Sequence, residues 1–152
     1  MVTVQKKSIL IVGISVRTTN ENAQAKQDIG GLWGRFMEEG IRSKIPNAID
    51  ESIYAVYTDY ESDHSKPYTT ILGYKVDSLK DIPVGMVGHE IEPSDFEKFT
   101  AKGNLKGDAV IAMWGQIWNS DIDRSYTSDF EVYDERASDP SNGEADIFIA
   151  LN

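Results

Sequence analysis

The sequence predicts an α+β fold: duplicated β-α-β-β units with pseudo-twofold symmetry, forming one antiparallel sheet that carries two helices and a central ligand cleft. Three observations predict it. Two segments whose tryptophans, Trp33 and Trp114, stand 81 residues apart share a helical apolar spacing and a Trp-Gly-x-apolar signature. Strand-like segments recur 76 residues apart, as Ile53 to Tyr57 and Asp129 to Tyr133. Neither half has enough apolar surface to fold alone, so two such units must share one sheet. At 152 residues the chain reads as a single domain, residues 1–152, with internal repeats over about 8–76 and 84–151.

Taken in order, Ser8 to Val16 (SILIVGISV) is an apolar, β-rich first strand. The lysines before it imitate a signal peptide, but Gly13 and Ser15 interrupt the apolar run, and Arg17 ends it without a small-residue cleavage site. Between Asn20 and Gly40, Ile29, Leu32, Trp33, Phe36 and Met37 fall on one helical face. Thr18 and Glu21 have capping-box spacing, and Gly40 can end the helix. The Gly30-Gly31 pair costs the helix about 1 kcal/mol per residue against alanine, and marks either a later start or a close backbone approach to ligand or sheet. Ile53 to Tyr57 and Tyr68 to Val76 complete the first half as strands. Val84 to Glu92 (VGMVGHEIE) opens the second half, and Ser94 to Gly103 adds a further strand or hairpin arm. Val110, Met113, Trp114, Ile117 and Trp118 then repeat the helical face. Asp129 to Tyr133 and Ala145 to Leu151 close the chain as strands.

With 25 acidic against 15 basic residues the net charge is −10, which repels nucleic acid and anionic membranes. Cysteine is absent, excluding disulfides, thiolate catalysis, zinc ribbons and iron–sulfur clusters, and pointing to a reducing cytoplasm. No stretch approaches the roughly 20 apolar residues of a membrane span. The dinucleotide, P-loop, nucleophile-elbow and zinc-protease motifs are missing. His64 and His89, on a loop and a strand, make no metal pair, and Asp121, Asp123 and Ser125 imitate a calcium loop that fails at Tyr126 and Val132. No cofactor or metal is expected.

What remains is a concentration of aromatics about the pseudo-dyad. Alternation puts Ile53, Ala55 and Tyr57 on one sheet face and Asp129, Glu131 and Tyr133 on one face, so the repeat sets Glu131 where the first half has Ala55. A mid-strand carboxylate is costly to desolvate. Three placements are open to it: turned to solvent, paired with Arg17, Arg35 or Arg124, or lying at the floor of a groove. In the groove its candidate walls are Trp33 and Phe36 from one helix and Trp114 and Trp118 from the other. There, a buried anion among aromatic faces receives a lipophilic cation. Asp129 is expected at an exposed strand start, and Asp95 and Glu97 on a solvated face.

The segments VGISVRTTNE, IGGLWGRF, IYAVYTDYESD, YTTILGYKV, FTAKG and IWNSDIDRSYTSDFEVYD resemble, in order along nearly the whole chain, the effector-binding domains of AraC-type activators within the gyrase-inhibitor-like superfamily. The narrower resemblance is to the stand-alone, integron-cassette-associated branch. It implies a central cleft for cationic, hydrophobic ligands, with a glutamate at its base that matches Glu131. The aromatic lining is assigned to Trp33, Phe36, Tyr57, Trp114, Trp118 and Tyr133 by orientation. AraC-type regulators carry a helix-turn-helix region for which this chain has no room, so a regulatory role requires a protein partner that supplies DNA binding. Two other functions stay open: a small-molecule hydrolase with Glu131 as general base, and an acidic protein-interaction module.

Overall fold

Alternating apolar residues build an 8-stranded antiparallel sheet. The computed structural model describes residues 2–63 and 65–152; His64 lies outside them. The chain runs β1 (Val2–Lys6), β2 (Ile9–Thr18), α1 (Gln24–Glu38), α2 (Ile41–Lys44), β3 (Ile53–Thr58), β4 (Tyr68–Val76), β5 (Val87–Ile91), β6 (Ser94–Gly103), α3 (Ala109–Trp118), β7 (Ser128–Tyr133) and β8 (Gly143–Ala150). The strand order is β1-β6-β8-β7-β3-β4-β2-β5.

Two connections determine the shape of that sheet. β1 and β2 stand six places apart in the order, about 29 Å in a flat sheet. Only Lys7 and Ser8 join them, a reach of about 11 Å at most. β5 and β6, also six places apart, are joined by Glu92 and Pro93 alone. The sheet therefore curls until its ends meet. Consistent with this, His89 Nε2 of β5 lies 3.0 Å from Ser128 Oγ of β7, four strands away in the order.

The concave face holds one core, in which Phe130 stacks on Phe148 at 4.7 Å and Phe96 meets Phe130 edge-on. Gly13 and Gly73 lie directly opposite each other in β2 and β4. A Cβ on Gly13 would overlap the carbonyl oxygen of Leu72, and one on Gly73 that of Val12, so the strands approach more closely than any side chain there allows. On the convex face, α1 buries Leu32 and Phe36 against β2 and β4, and α3 buries Ile117 against Ile147 and Ile149 of β8. The central strands β3 and β7 are left between the helices as the floor of a cleft. Their register pairs Ile53 with Tyr133, Ala55 with Glu131 and Tyr57 with Asp129.

The α+β class and the antiparallel sheet agree with the sequence, and four details correct it. β1 is an additional strand that pairs with β6. By covering β6 it buries Glu97, which accepts the Thr3 hydroxyl and is only 8% exposed. Secondly, β6 neighbours β8 as β2 neighbours β4, so β6 is the counterpart of β2, and the edge strand β5 is the counterpart of β1. The match of Ser8 to Val16 with Val84 to Glu92 is one of apolar composition rather than place. Thirdly, α1 begins at Gln24 behind a left-handed Ala23 (φ 58°) with no side-chain cap, because Thr18 is still in β2 and its hydroxyl donates to Asp28 at 2.8 Å. Lastly, Met37, on the same apolar helical face as Leu32 and Phe36, is 64% exposed and lines the cavity. Gly40 ends the helix as expected, at φ 60°. Among the described residues no helix is long and apolar enough to cross a membrane.

The close approach at Gly73 predicts that Gly73→Ala lowers stability by about 2 kcal/mol or more, the scale of an overpacked core. Urea denaturation measures it; an unchanged midpoint would contradict the steric account.

Candidate functional site

Glu131 stands in the middle of β7 and is 1% exposed. Alternation turns it to the convex face beside Tyr133, two residues on, and near Tyr57 on the adjacent strand. All three flanking donors reach it. Tyr57 OH donates to Oε2 at 3.0 Å, Trp114 Nε1 donates to the same oxygen at 2.6 Å, and Tyr133 OH donates to Oε1 at 2.6 Å. α3 supplies Trp114 because its apolar stripe packs over β6 and β8, next to β7. On the opposite side Trp33 of α1 packs edge-on against Tyr133 at 5.3 Å.

Burial raises the Glu131 carboxyl above its ordinary value, while the bonds from Tyr133, Trp114 and Tyr57 pull it back down. Burial and the neighbouring carboxylate hold the Tyr57 and Tyr133 phenols well above their usual range, so both remain donors. Among the described residues no lysine or arginine pairs with Glu131. Arg17 bonds the Asp59 carbonyl and Thr69, Arg35 pairs with Glu39, and Arg124 pairs with Asp129. The floor thus carries a buried carboxylate held only by neutral donors.

Above it opens a cavity of about 1500 Å³ between α1 and α3. Of the residues expected to line it, Trp33, Tyr57, Trp114, Trp118, Glu131 and Tyr133 do so. Trp118, the last residue of α3, is 43% exposed and lies 6.2 Å from Trp114, ring to ring. Phe36 is not on the wall: it is buried beneath α1, stacked on Tyr74 at 5.4 Å, because its place in the helix aims it into the core.

Among the wall residues that escaped the sequence reading are Tyr60, Tyr68 and Arg124. Tyr68 shares the alternation of Leu72 and Tyr74 in β4, so its face was legible; its ring meets Tyr57 at 6.1 Å and its hydroxyl donates to Asn20 at 2.6 Å. Its phenol is pushed up to about 12 by burial and the charge of Glu131. Tyr60 follows the left-handed Asp59 (φ 50°), which breaks the alternation of β3. Its hydroxyl donates to Asp129 Oδ2 at 2.7 Å. Asp129 is therefore no exposed turn residue: it is fully buried, receiving Arg124 Nη2 at 2.8 Å and the Ala150 amide at 2.9 Å. Burial works against the Arg124 charge, but Asp129 overrides it and holds the guanidinium above its usual value. That cation is neutralised within the wall. Among the described residues no group of metal-ligating side chains gathers here or elsewhere.

Comparison with known proteins agrees with this architecture. The family described as integron-associated effector binding protein matches residues 3–151, and the chain belongs to that family. YobU of Bacillus subtilis (strain 168), named as a candidate transcriptional regulator, is 27% identical over 91% of this chain and 89% of its own length. The crystal structure of an integron cassette protein from the mobile metagenome of Vibrio cholerae superposes with TM-score 0.75 at 27% identity, covering 99% of this chain and 95% of that one. SAV2435, solved bound to tetraphenylphosphonium, shares the fold with TM-score 0.81 at 20% identity, over 99% of this chain and 93% of its own.

Two predictions follow from the site. Folded protein binds the Glu131 proton more tightly than unfolded chain, so stability is lost as pH rises from the ordinary carboxylate range through the raised folded value. Glu131→Gln should therefore unfold at higher urea than wild type at pH 7, with the gap closing on acidification below that range; equal midpoints at neutral pH would count against an ionised, buried Glu131. Removing one member of the other pair, by Asp129→Ala, strands a buried Arg124 and should cost about 3–5 kcal/mol. A loss under 1 kcal/mol, about the value of a surface pair, would refute that role.

Proposed function

We propose that this effector-binding protein takes up lipophilic, cationic small molecules in the cleft between α1 and α3, with Glu131 compensating the ligand's charge. The observation that carries the reading is the Glu131 carboxylate itself: fully buried, bonded by three neutral donors and by no cation among the described residues. A cation entering beside it gains the attraction of an uncompensated charge in a poorly hydrated site, where such interactions are strongest. An anion meets repulsion, and a neutral ligand gains only apolar area. The walls supply that area through Trp33, Tyr57, Trp114 and Tyr68, whose ring faces add cation–π attraction. Arg124 does not cancel the effect, because its charge is spent on Asp129. The capture of a lipophilic cation, tetraphenylphosphonium, by a protein of the same fold supports the reading.

Tryptophan fluorescence tests it, since Trp33, Trp114 and Trp118 all line the cavity. Tetraphenylphosphonium should quench wild type saturably, triphenylphosphine oxide should bind at least about tenfold more weakly, and Glu131→Gln should lose about tenfold or more in cation affinity alone. Equal binding of the cation and the neutral compound, or of the cation by wild type and Glu131→Gln, would overturn the proposal.

A further inference from the structure

The two walls of the cleft are unequal. On α3 the cavity-facing side chains are large: Val110, Ile111, Trp114 and Trp118. On α1 two of the cavity-facing positions, Gly30 and Gly34, carry no side chain. They stand one helical turn apart on the same face. In the 81-residue correspondence Gly30 answers to Ile111, which is 60% exposed into the groove. Glycine is second only to proline in disfavouring a helix interior, so two in one stripe of a 15-residue helix require a reason.

Neither backbone conformation nor packing supplies that reason. No left-handed φ is found at Gly30 or Gly34, and a Cβ built on either meets nothing within 4 Å. A third helix glycine, Gly31, has the same open surroundings but does not line the cavity. What Gly30 and Gly34 provide, and Gly31 does not, is empty space within the cavity whose lining includes Glu131.

We propose that Gly30 and Gly34 set the size limit of the cleft, keeping the α1 wall bare so that a bulky polyaryl cation can lie against the helix backbone with its charge toward Glu131. The inference rests on the receptor reading above and adds the ligand's shape class to it. Small aliphatic or single-ring cations need no such space, and they are indifferent to a side chain at either position.

Four variants test it: Gly30→Leu, Gly34→Leu, Gly31→Leu and Glu131→Gln, each titrated with tetraphenylphosphonium and with benzyltrimethylammonium. All three leucine variants should melt about 2–4 °C above wild type, because leucine favours the helix and its Cβ meets open space at each position. Gly30→Leu and Gly34→Leu should lose about tenfold or more in tetraphenylphosphonium affinity, the scale of overpacking a filled site, with benzyltrimethylammonium changed less than about twofold. Gly31→Leu should bind both probes as wild type does. If Gly30→Leu and Gly34→Leu keep tetraphenylphosphonium while Glu131→Gln loses it, the size limit is wrong and the receptor stands. Parallel loss of both probes in the two variants, or loss in Gly31→Leu, also overturns the size limit. If wild type binds neither probe, or Glu131→Gln binds both unchanged, the receptor reading fails and the size limit falls with it.

Discussion

The cost of burying one carboxylate organises this molecule. Glu131 sits where β3 and β7 meet, and its register partner is Ala55, its own counterpart in the repeat 76 residues earlier. At that place exact symmetry would set two carboxylates opposite each other on one sheet face, about 5 Å apart, where like charges directly destabilise the pair. One copy carries the acid and the other the smallest side chain that still packs. The loss of symmetry at the pseudo-dyad is therefore a requirement of burying the acid, and Ala55 packs into the core beneath α1.

The rest of the structure holds that carboxylate ionisable without neutralising it. Its donors come from three elements, β3, α3 and β7, and each donor is a neutral group whose own environment keeps it protonated. Arg124, which lines the wall together with Lys26 and Lys106, is tied off by Asp129 Oδ2; the same oxygen accepts the Tyr60 hydroxyl, and the Ala150 amide of β8 bonds Oδ1. The curled sheet makes this arrangement rigid. Because two-residue connections force the ends of the sheet together, its concave face becomes a closed core of stacked aromatics, and the convex face becomes a fixed platform for two helices.

Much of this was legible in the sequence where side-chain periodicity carried it. Tyr68 to Val76 and Ser94 to Gly103 coincide with observed strands, and Glu131, Trp33, Trp114 and Tyr133 meet at the cleft. What the sequence concealed depends on long-range contacts. β1 is short and half polar, so only its partner β6 reveals it, and with it the burial of Glu97. The buried state of Asp129 depends on Arg124, which lies in an irregular connection, and on an amide from β8. Phe36 could not be told from a wall residue by spacing, since helix faces toward a core and toward a cavity obey the same period. Tyr60 lies beyond a left-handed residue that no alternation rule anticipates.

On the proposed reading, Glu131 meets its ligand as an anion. Calorimetric titration with tetraphenylphosphonium in two buffers of different ionisation enthalpy measures the protons exchanged on binding. Since burial raises the Glu131 carboxyl, the free protein holds that proton to higher pH than an ordinary carboxylate does, and in that range an arriving cation must expel it. Wild type should release protons on binding across the acid range, with affinity rising with pH, and Glu131→Gln should release none. Binding without proton release and with pH-independent affinity would contradict that reading.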